Sequence, residues 1–170
     1  MTKKLRSLLT AKSGILLDIG CGQFKQTGFV GMDRRKIPGV DIVHDLEVFP
    51  YPLPDESCLT IVGSHIVEHL KPWLMIQFMD ELWRITKPNG QLYLSHPYSV
   101  NEYFVQDPTH CNPCNEATWQ YFDHTCPLYE IYQPKPWKLD PGPVWQCTGT
   151  MEVMFRKVTL EQVGKNSNGK

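Results

Sequence analysis

Residues 14–22, Gly-Ile-Leu-Leu-Asp-Ile-Gly-Cys-Gly, place the tightest constraint on the fold. An apolar run too short for a helix stops at an acidic residue and two glycines, which reads as a buried strand meeting a tight turn. Phe29–Asp33 and Val40–His44 read as second and third strands, and Leu59–His65 as a fourth. Pro50, Pro52 and Pro54 keep the segment before the fourth strand from being helical. Pro72 opens a helix in which Leu74, Met75, Phe78, Met79, Leu82 and Ile85 recur at helical spacing, and Pro88-Asn89-Gly90 should end it. Gln91–Ser95 is a fifth strand. This order predicts an α/β fold around a largely parallel sheet. Further on, Asn115–Phe122 reads as a helix with Trp119 and Phe122 inward, and Met151–Val158 as a last strand. Residues 127–147, rich in proline and aromatics, give no clear element. Thr159–Lys170 reads as a tail, with 164–170 expected to be disordered. The expected organisation is thus one domain over residues 1–163, and oligomeric state is left open.

Charge and composition narrow the partners. The chain has 170 residues, 17 basic against 18 acidic, for a net charge of −1. That balance argues against nucleic acid and against a polybasic membrane anchor. No apolar run approaches the roughly 18 residues of a membrane span, and Met1–Lys12 has no signal-peptide core. The expected setting is the cytoplasm, where Cys21, Cys58, Cys111, Cys114, Cys126 and Cys147 would stay reduced.

The glycine turn lies where a parallel α/β sheet binds ligands, beyond the carboxyl end of a strand. Gly20 and Gly22 let a ligand approach the backbone, and Asp18 can brace the loop or accept a hydrogen bond from an ammonium. Asp33, closing the second strand, is placed to accept hydrogen bonds from two vicinal ribose hydroxyls. A nucleoside-containing ligand is expected. A dinucleotide oxidoreductase is not: its fingerprint needs Gly-x-Gly-x-x-Gly and an acid about 20 residues on, and here Gln23 and Phe24 follow Gly22. Arg34-Arg35-Lys36 reads as a solvated loop rather than an NADP phosphate site.

LLDIGCG, then GMD, then DIVHDLEVFPYPLPDESCLTIVGSHIVEHL, then ELWRITKPNGQLYLSHP, resembles the class I S-adenosylmethionine-dependent methyltransferases. Within them it is most similar to the small methyltransferase-domain (type 11-like) proteins with a DPTH segment, over residues 14–125. The resemblance implies S-adenosylmethionine as cofactor. It implies that Asp18, Gly20, Cys21 and Gly22 line its methionine part, that Asp33 holds the ribose and that Asp45 with Leu46 meets the adenine. Ser64, His65 and Glu68 would face the sulfonium and the substrate, and a C-terminal antiparallel hairpin would finish the sheet. The expected fold is therefore Rossmann-like, mostly parallel, with helices on both faces. One departure is plain: only ten residues, Gln23–Met32, separate Gly22 from Asp33, so the first crossover helix should be reduced to a turn.

Two histidine-bearing motifs remain. His65-Ile66-Val67-Glu68-His69 spells the inverted zincin motif, which needs a helix to bring its histidines together. A strand precedes it and Pro72 follows closely, so a strand-to-helix corner is the better reading. Asp107-Pro108-Thr109-His110-Cys111 continues to Cys114, His124 and Cys126, a loose tetrahedral zinc set that the reading sets aside in favour of a structured loop. No metal is assigned. His110 is the first choice of general base, His65 the second, with Asp107 beside them, since an imidazole titrates near neutrality. The expected activity is methyl transfer to a small-molecule acceptor. The alternatives are a methyltransferase-like binding module without catalysis, and a zinc-binding protein.

Overall fold

The computed structural model describes residues 13–145 and 149–167, with side chains to Val163. The expectations for Met1–Lys12 and for Cys147 lie outside the described residues. The elements in chain order are β1 (Ile15–Ile19), β2 (Val30–Asp33), β3 (Ile42–Val43), β4 (Cys58–Ser64), α1 (Met75–Ile85), β5 (Thr86–Pro97), α2 (Glu102–Val105), α3 (Glu116–Gln120), α4 (Tyr129–Tyr132), β6 (Trp137–Leu139), β7 (Val144–Trp145), β8 (Thr150–Lys157) and α5 (Leu160–Ser167). Two 3₁₀ turns, Val67–His69 and Pro72–Leu74, lie between β4 and α1.

The sheet runs β3-β2-β1-β4-β5-β8-β6, with β7 also pairing β8. The first five strands are mutually parallel, and β8 lies antiparallel between β5 and β6. The chain winds outward from β1 in both directions, so the carboxyl ends of β1 and β4 flank the crevice where such sheets bind ligands. The antiparallel finish expected at the C-terminal end is present as β6, β7 and β8.

Side chains on the two sheet faces have different fates. One cross-strand row, Val30–Leu17–Ile61–Leu92–Phe155, is buried throughout. It belongs to the same core as Met75, Phe78, Met79, Leu82 and Ile85 of α1 and Trp119 of α3. Phe155 lies between Trp119 and Trp137, at centroid distances of 5.9 and 6.0 Å. The neighbouring row, Val62–Tyr93–Met154, stays partly open, with Tyr93 37% exposed. Helical cover, expected on both faces, is therefore incomplete on this one.

Other departures have local causes. No helix forms between β1 and β2; residues 20–29 make turns, closed by Phe24 N–H to Cys21 O (3.2 Å) and Phe29 N–H to Gln26 O (3.2 Å). Pro88-Asn89-Gly90 does not end α1. The helix stops at Ile85, β5 starts at Thr86, and these residues bulge within β5, where the register jumps from Cys58–Thr86 to Thr60–Gln91. Thr86 Oγ1 donates to Leu82 O (2.7 Å), which satisfies a carbonyl at the helix end. The stretch read as a tail from Thr159 forms α5. Gln162 Oε1 accepts from Thr159 N–H (2.7 Å), half of a capping box. Residues 168–170 lie outside the described residues.

The unequal faces give a measurable contrast. Phe155→Ala should cost about 3–5 kcal/mol in urea unfolding. Tyr93→Ala, on the half-open face, should cost well under half of that. Equal losses would show both faces to be packed alike.

Candidate functional site

The carboxyl ends of β1 and β2 are fastened together by side chains. Gly20 and Gly22 have φ of 64° and 53°, a region that favours glycine. A Cβ on Gly20 would lie 2.1 Å from Ile66 Cγ2, so this loop passes hard against the segment after β4. Asp33 is 5% exposed. Its Oδ2 accepts from Gly22 N–H (2.9 Å), and its Oδ1 accepts from Arg35 N–H (2.8 Å) and Arg35 Nε (3.1 Å). Burial pushes this carboxyl up, but the bonds from Arg35 and Gly22 outweigh it and hold it below the usual carboxylate range. Asp18 faces its own loop, with Oδ2 accepting from Gln26 N–H (2.8 Å). Burial raises its carboxyl against that bond and the nearby Lys25 charge. Cys21 is buried, and burial with the charges of Asp18 and Asp33 pushes its thiol up to about 11, which makes it an inert filler.

A cleft of about 620 Å³ opens beside this loop. Gly20, Asp33, Asp45, Leu46 and His65 line it, as do Arg34, Arg35, Glu47, Ile66, His69, Leu70, Lys71, Thr109 and Cys111. Of the sequence-derived candidates, Asp18, Cys21, Gly22, Ser64, Glu68, Asp107 and His110 are not among its lining residues. Ser64 borders a second cavity on the half-open sheet face and accepts from Ser95 Oγ (2.9 Å). Asp45 Oδ1 accepts from Glu47 N–H (3.0 Å), and Lys71 Nζ pairs with Glu47 Oε2 (2.5 Å), which closes one wall. Sequence reasoning missed Arg35, Glu47 and Lys71. For Arg35 the signal was its place two residues after the strand-ending acid, where backbone and side chain can both reach back.

The two histidine motifs turn out to be neighbours. His65, at φ 54°, contacts buried Glu68 Oε1 through Nδ1 at 3.2 Å. Residues Val67–His69 are a 3₁₀ turn, so the helical geometry of the inverted zincin motif is absent. Glu68 O accepts from Cys111 N–H (2.9 Å) and Asn112 N–H (3.1 Å), and Asn112 Nδ2 donates to Val67 O (3.1 Å). These bonds dock the 107–112 loop onto the corner after β4. The His69 and His110 rings stand 4.7 Å apart. Asp107 accepts from Thr109 N–H and Thr109 Oγ1 and lies 3.8 Å from His110 Nε2. The looser zinc set is not assembled. Cys114 is buried, with a thiol pushed up to about 12 by burial and the Glu68 charge, whereas the backbone N–H of His124 bonds to Trp137 O beside β6. Among the described residues, Cys111, Cys114, His124 and Cys126 do not converge as ligands.

No family model matches the chain. A curated relative from Mycolicibacterium smegmatis, described as a probable S-adenosylmethionine-dependent methyltransferase, is 33% identical over 88 residues. The match takes in 49% of this chain and 33% of the relative, so it spans about a third of that protein's length. Among solved structures, a SAM-dependent methyltransferase from Archaeoglobus fulgidus aligns at TM-score 0.61 and 17% identity, over 91% of each chain. One from Aquifex aeolicus aligns at 0.57 and 16%, over 92% of this chain and 88% of that one. The chain has the class I methyltransferase fold. The antibiotic-resistance methyltransferase Kmr shares it at TM-score 0.59 and 15% identity, over 91% and 92%. No helix among the described residues is long and apolar enough to cross a membrane.

The His65–Glu68 contact has a pH signature. The hydrogen bond that the protonated ring donates to Glu68 raises the imidazole's affinity for its proton, against a smaller opposing effect of burial. The stabilisation is then full below the unfolded-state pKa of about 6.5 and is lost as pH rises through the higher folded value. His65→Asn keeps a residue that tolerates positive φ. The stability gap between the native protein and this variant should be wider at about pH 5.5 than at about pH 8.5. Urea unfolding at both values checks it, and a gap independent of pH would refute the pairing.

Proposed function

We propose that the chain transfers a methyl group from S-adenosylmethionine to a small acceptor. The observation that carries this reading is the cleft at the β1/β4 switch point, floored by Gly20 and walled by Asp33. Its volume, about 620 Å³, falls within the roughly 300–1,000 Å³ of small-molecule sites. The fit is supported residue by residue. Gly20 lies where a side chain would collide with Ile66, so the floor stays open backbone. Asp33 is an ionised acceptor suited to ribose hydroxyls, and Asp45 with Leu46 lies on the same cleft for the adenine. Arg35 now occupies Asp33, but its side chain is 59% exposed and can yield to a hydroxyl pair.

When bound, S-adenosylmethionine supplies an electrophilic methyl group. The protein's part is to hold the acceptor in line and to take its proton. His110 does not itself line the cleft, but it sits between Thr109 and Cys111, which do, and it is the base this reading assigns to the second task. Its Nδ1 faces Phe104 O at 2.9 Å, so Nδ1 carries the hydrogen and Nε2 keeps a lone pair. His65, drawn toward its protonated form by Glu68, is less often free to take a proton and instead adds positive charge beside the cleft. Positioning contributes most of the rate in such a displacement, with proton transfer adding to it.

Calorimetry with the demethylated product, S-adenosylhomocysteine, tests the reading. Asp33→Ala should weaken binding at least tenfold, about 1.4 kcal/mol. Arg35→Ala should not weaken it, because Arg35 competes for the same oxygens. No heat at millimolar ligand with the native protein would overturn the reading and leave the fold as a binding module.

A further inference from the structure

We propose that Glu68, His69 and His110 form a binding site for one divalent transition-metal ion of the zinc class. One donor atom from each of the three lies within 4.8 Å of the others. Ligands on one ion with bonds of about 2.0–2.2 Å stand roughly 3–4 Å apart, so a small turn of the exposed His69 ring closes the set.

Three observations point to a cation-binding cluster rather than to a self-satisfied one. Glu68 is 1% exposed, and its Oε2 is a buried oxygen without any hydrogen-bond partner among the described residues. A buried carboxylate oxygen is costly unless a donor or a cation meets it. The hydrogens of both imidazoles are fixed on the side away from each other's free nitrogen. Thr109 Oγ1 spends its single hydrogen on Asp107 Oδ1 (2.7 Å), so its contact with His69 Nδ1 (3.0 Å) must be a bond donated by His69. Phe104 O can only accept, so His110 Nδ1 donates to it (2.9 Å). In its neutral form each ring then carries its lone pair on Nε2. That of His110 has no donor near it, only Asp107 Oδ2 at 3.8 Å, itself an acceptor.

A neutral imidazole whose outer nitrogen bonds to a carbonyl, or to a hydroxyl that leads to a carboxylate, is the arrangement that orients metal-bound histidines. Two imidazole nitrogens and one carboxylate oxygen suit zinc, cobalt, nickel or iron(II) better than calcium or magnesium. The loop bearing His110 is clamped to the Glu68 carbonyl by two backbone hydrogen bonds, so the site is held together before any ion arrives. The ligands come from both histidine motifs, and neither motif supplies the set alone. The site stands whether or not the chain transfers methyl groups, but an ion on His110 Nε2 would take the lone pair that the methyl-transfer reading gives to the base.

The test uses the full chain, stripped with a chelator, and cobalt(II) or zinc(II) as the probe. One equivalent of cobalt should give ligand-field absorbance, displaced by one equivalent of zinc. His69→Ala with His110→Ala should abolish both signals. Glu68→Gln should lower zinc affinity at least tenfold, and Thr109→Val, which removes the bond orienting His69 together with the Oγ1 bond to Asp107, about 10–100-fold. His124→Ala with Cys126→Ser should change nothing. Circular dichroism checks that each variant is folded, and His69 and Thr109, both exposed, are the safest positions. No saturable binding by the native protein, or binding that survives loss of both histidines as an adventitious ion would, overturns the site. Because the readout needs no cofactor, its failure is separate from failure of product binding.

Discussion

The carboxylate of Asp33 takes the N–H of Gly22, and much of the ligand edge depends on that bond. A crossover of ten residues leaves no room for a helix, so its backbone donors lose their usual acceptors. Aspartates replace them. Asp33 takes Gly22 N–H, Asp18 takes Gln26 N–H, and Asp41 takes Gly31 N–H (2.9 Å) together with Lys25 Nζ (2.7 Å). Each bond involves a charged acceptor and is worth roughly twice a neutral one. The loop is thereby fixed with its glycines presented to the cleft. Asp33 has two duties in consequence: it supports the loop and it faces the ligand space.

That double duty explains why Arg35 sits where it does. A buried carboxylate with one backbone donor would remain under-solvated, and Arg35 supplies the remaining charge and hydrogen bonds from a side chain that is mostly in water. The arginine end of the pair is 59% exposed, so water can solvate the guanidinium once other donors meet the buried carboxylate. In the proposed reading, a ligand with two hydroxyls would take the place of the Arg35 side chain and leave the Gly22 bond intact.

The strands and α1 were legible because their patterns are local. Short apolar runs between glycines and prolines gave β1, β2, β4 and β5, and the spacing of Phe78, Met79, Leu82 and Ile85 gave α1 with its buried face. Pro88-Asn89-Gly90 was misread as a terminator because only the pairing of β5 with β4, set by distant residues, turns it into a bulge. Thr159 and Gln162 carried a capping signal that polar composition masked. Trp137, in the middle of the aromatic stretch that gave no clear element, is fully buried, and its indole donates to Met79 O (3.3 Å) across the core. No local rule announces such a contact.

The site shows the same division more sharply. Glycine turn and strand-ending acid are neighbours in sequence and were read together. His69 and His110 lie about forty residues apart and were weighed as separate motifs, each judged by its own spacing. Their meeting follows from the Glu68 carbonyl, which takes two N–H groups of the 110s loop and so fixes one turn against the other. The same residue's side chain is buried by that docking, with Oε1 on His65 and Oε2 facing no donor. Packing alone would favour an apolar residue at this position, because a half-satisfied buried carboxylate is worse than none. The docking needs only a peptide carbonyl, and the His65 contact uses only Oε1, so neither accounts for the buried Oε2. An unmet buried oxygen within 4.8 Å of two imidazole nitrogens is the kind of cost a fold retains when the group has a positive partner to hold.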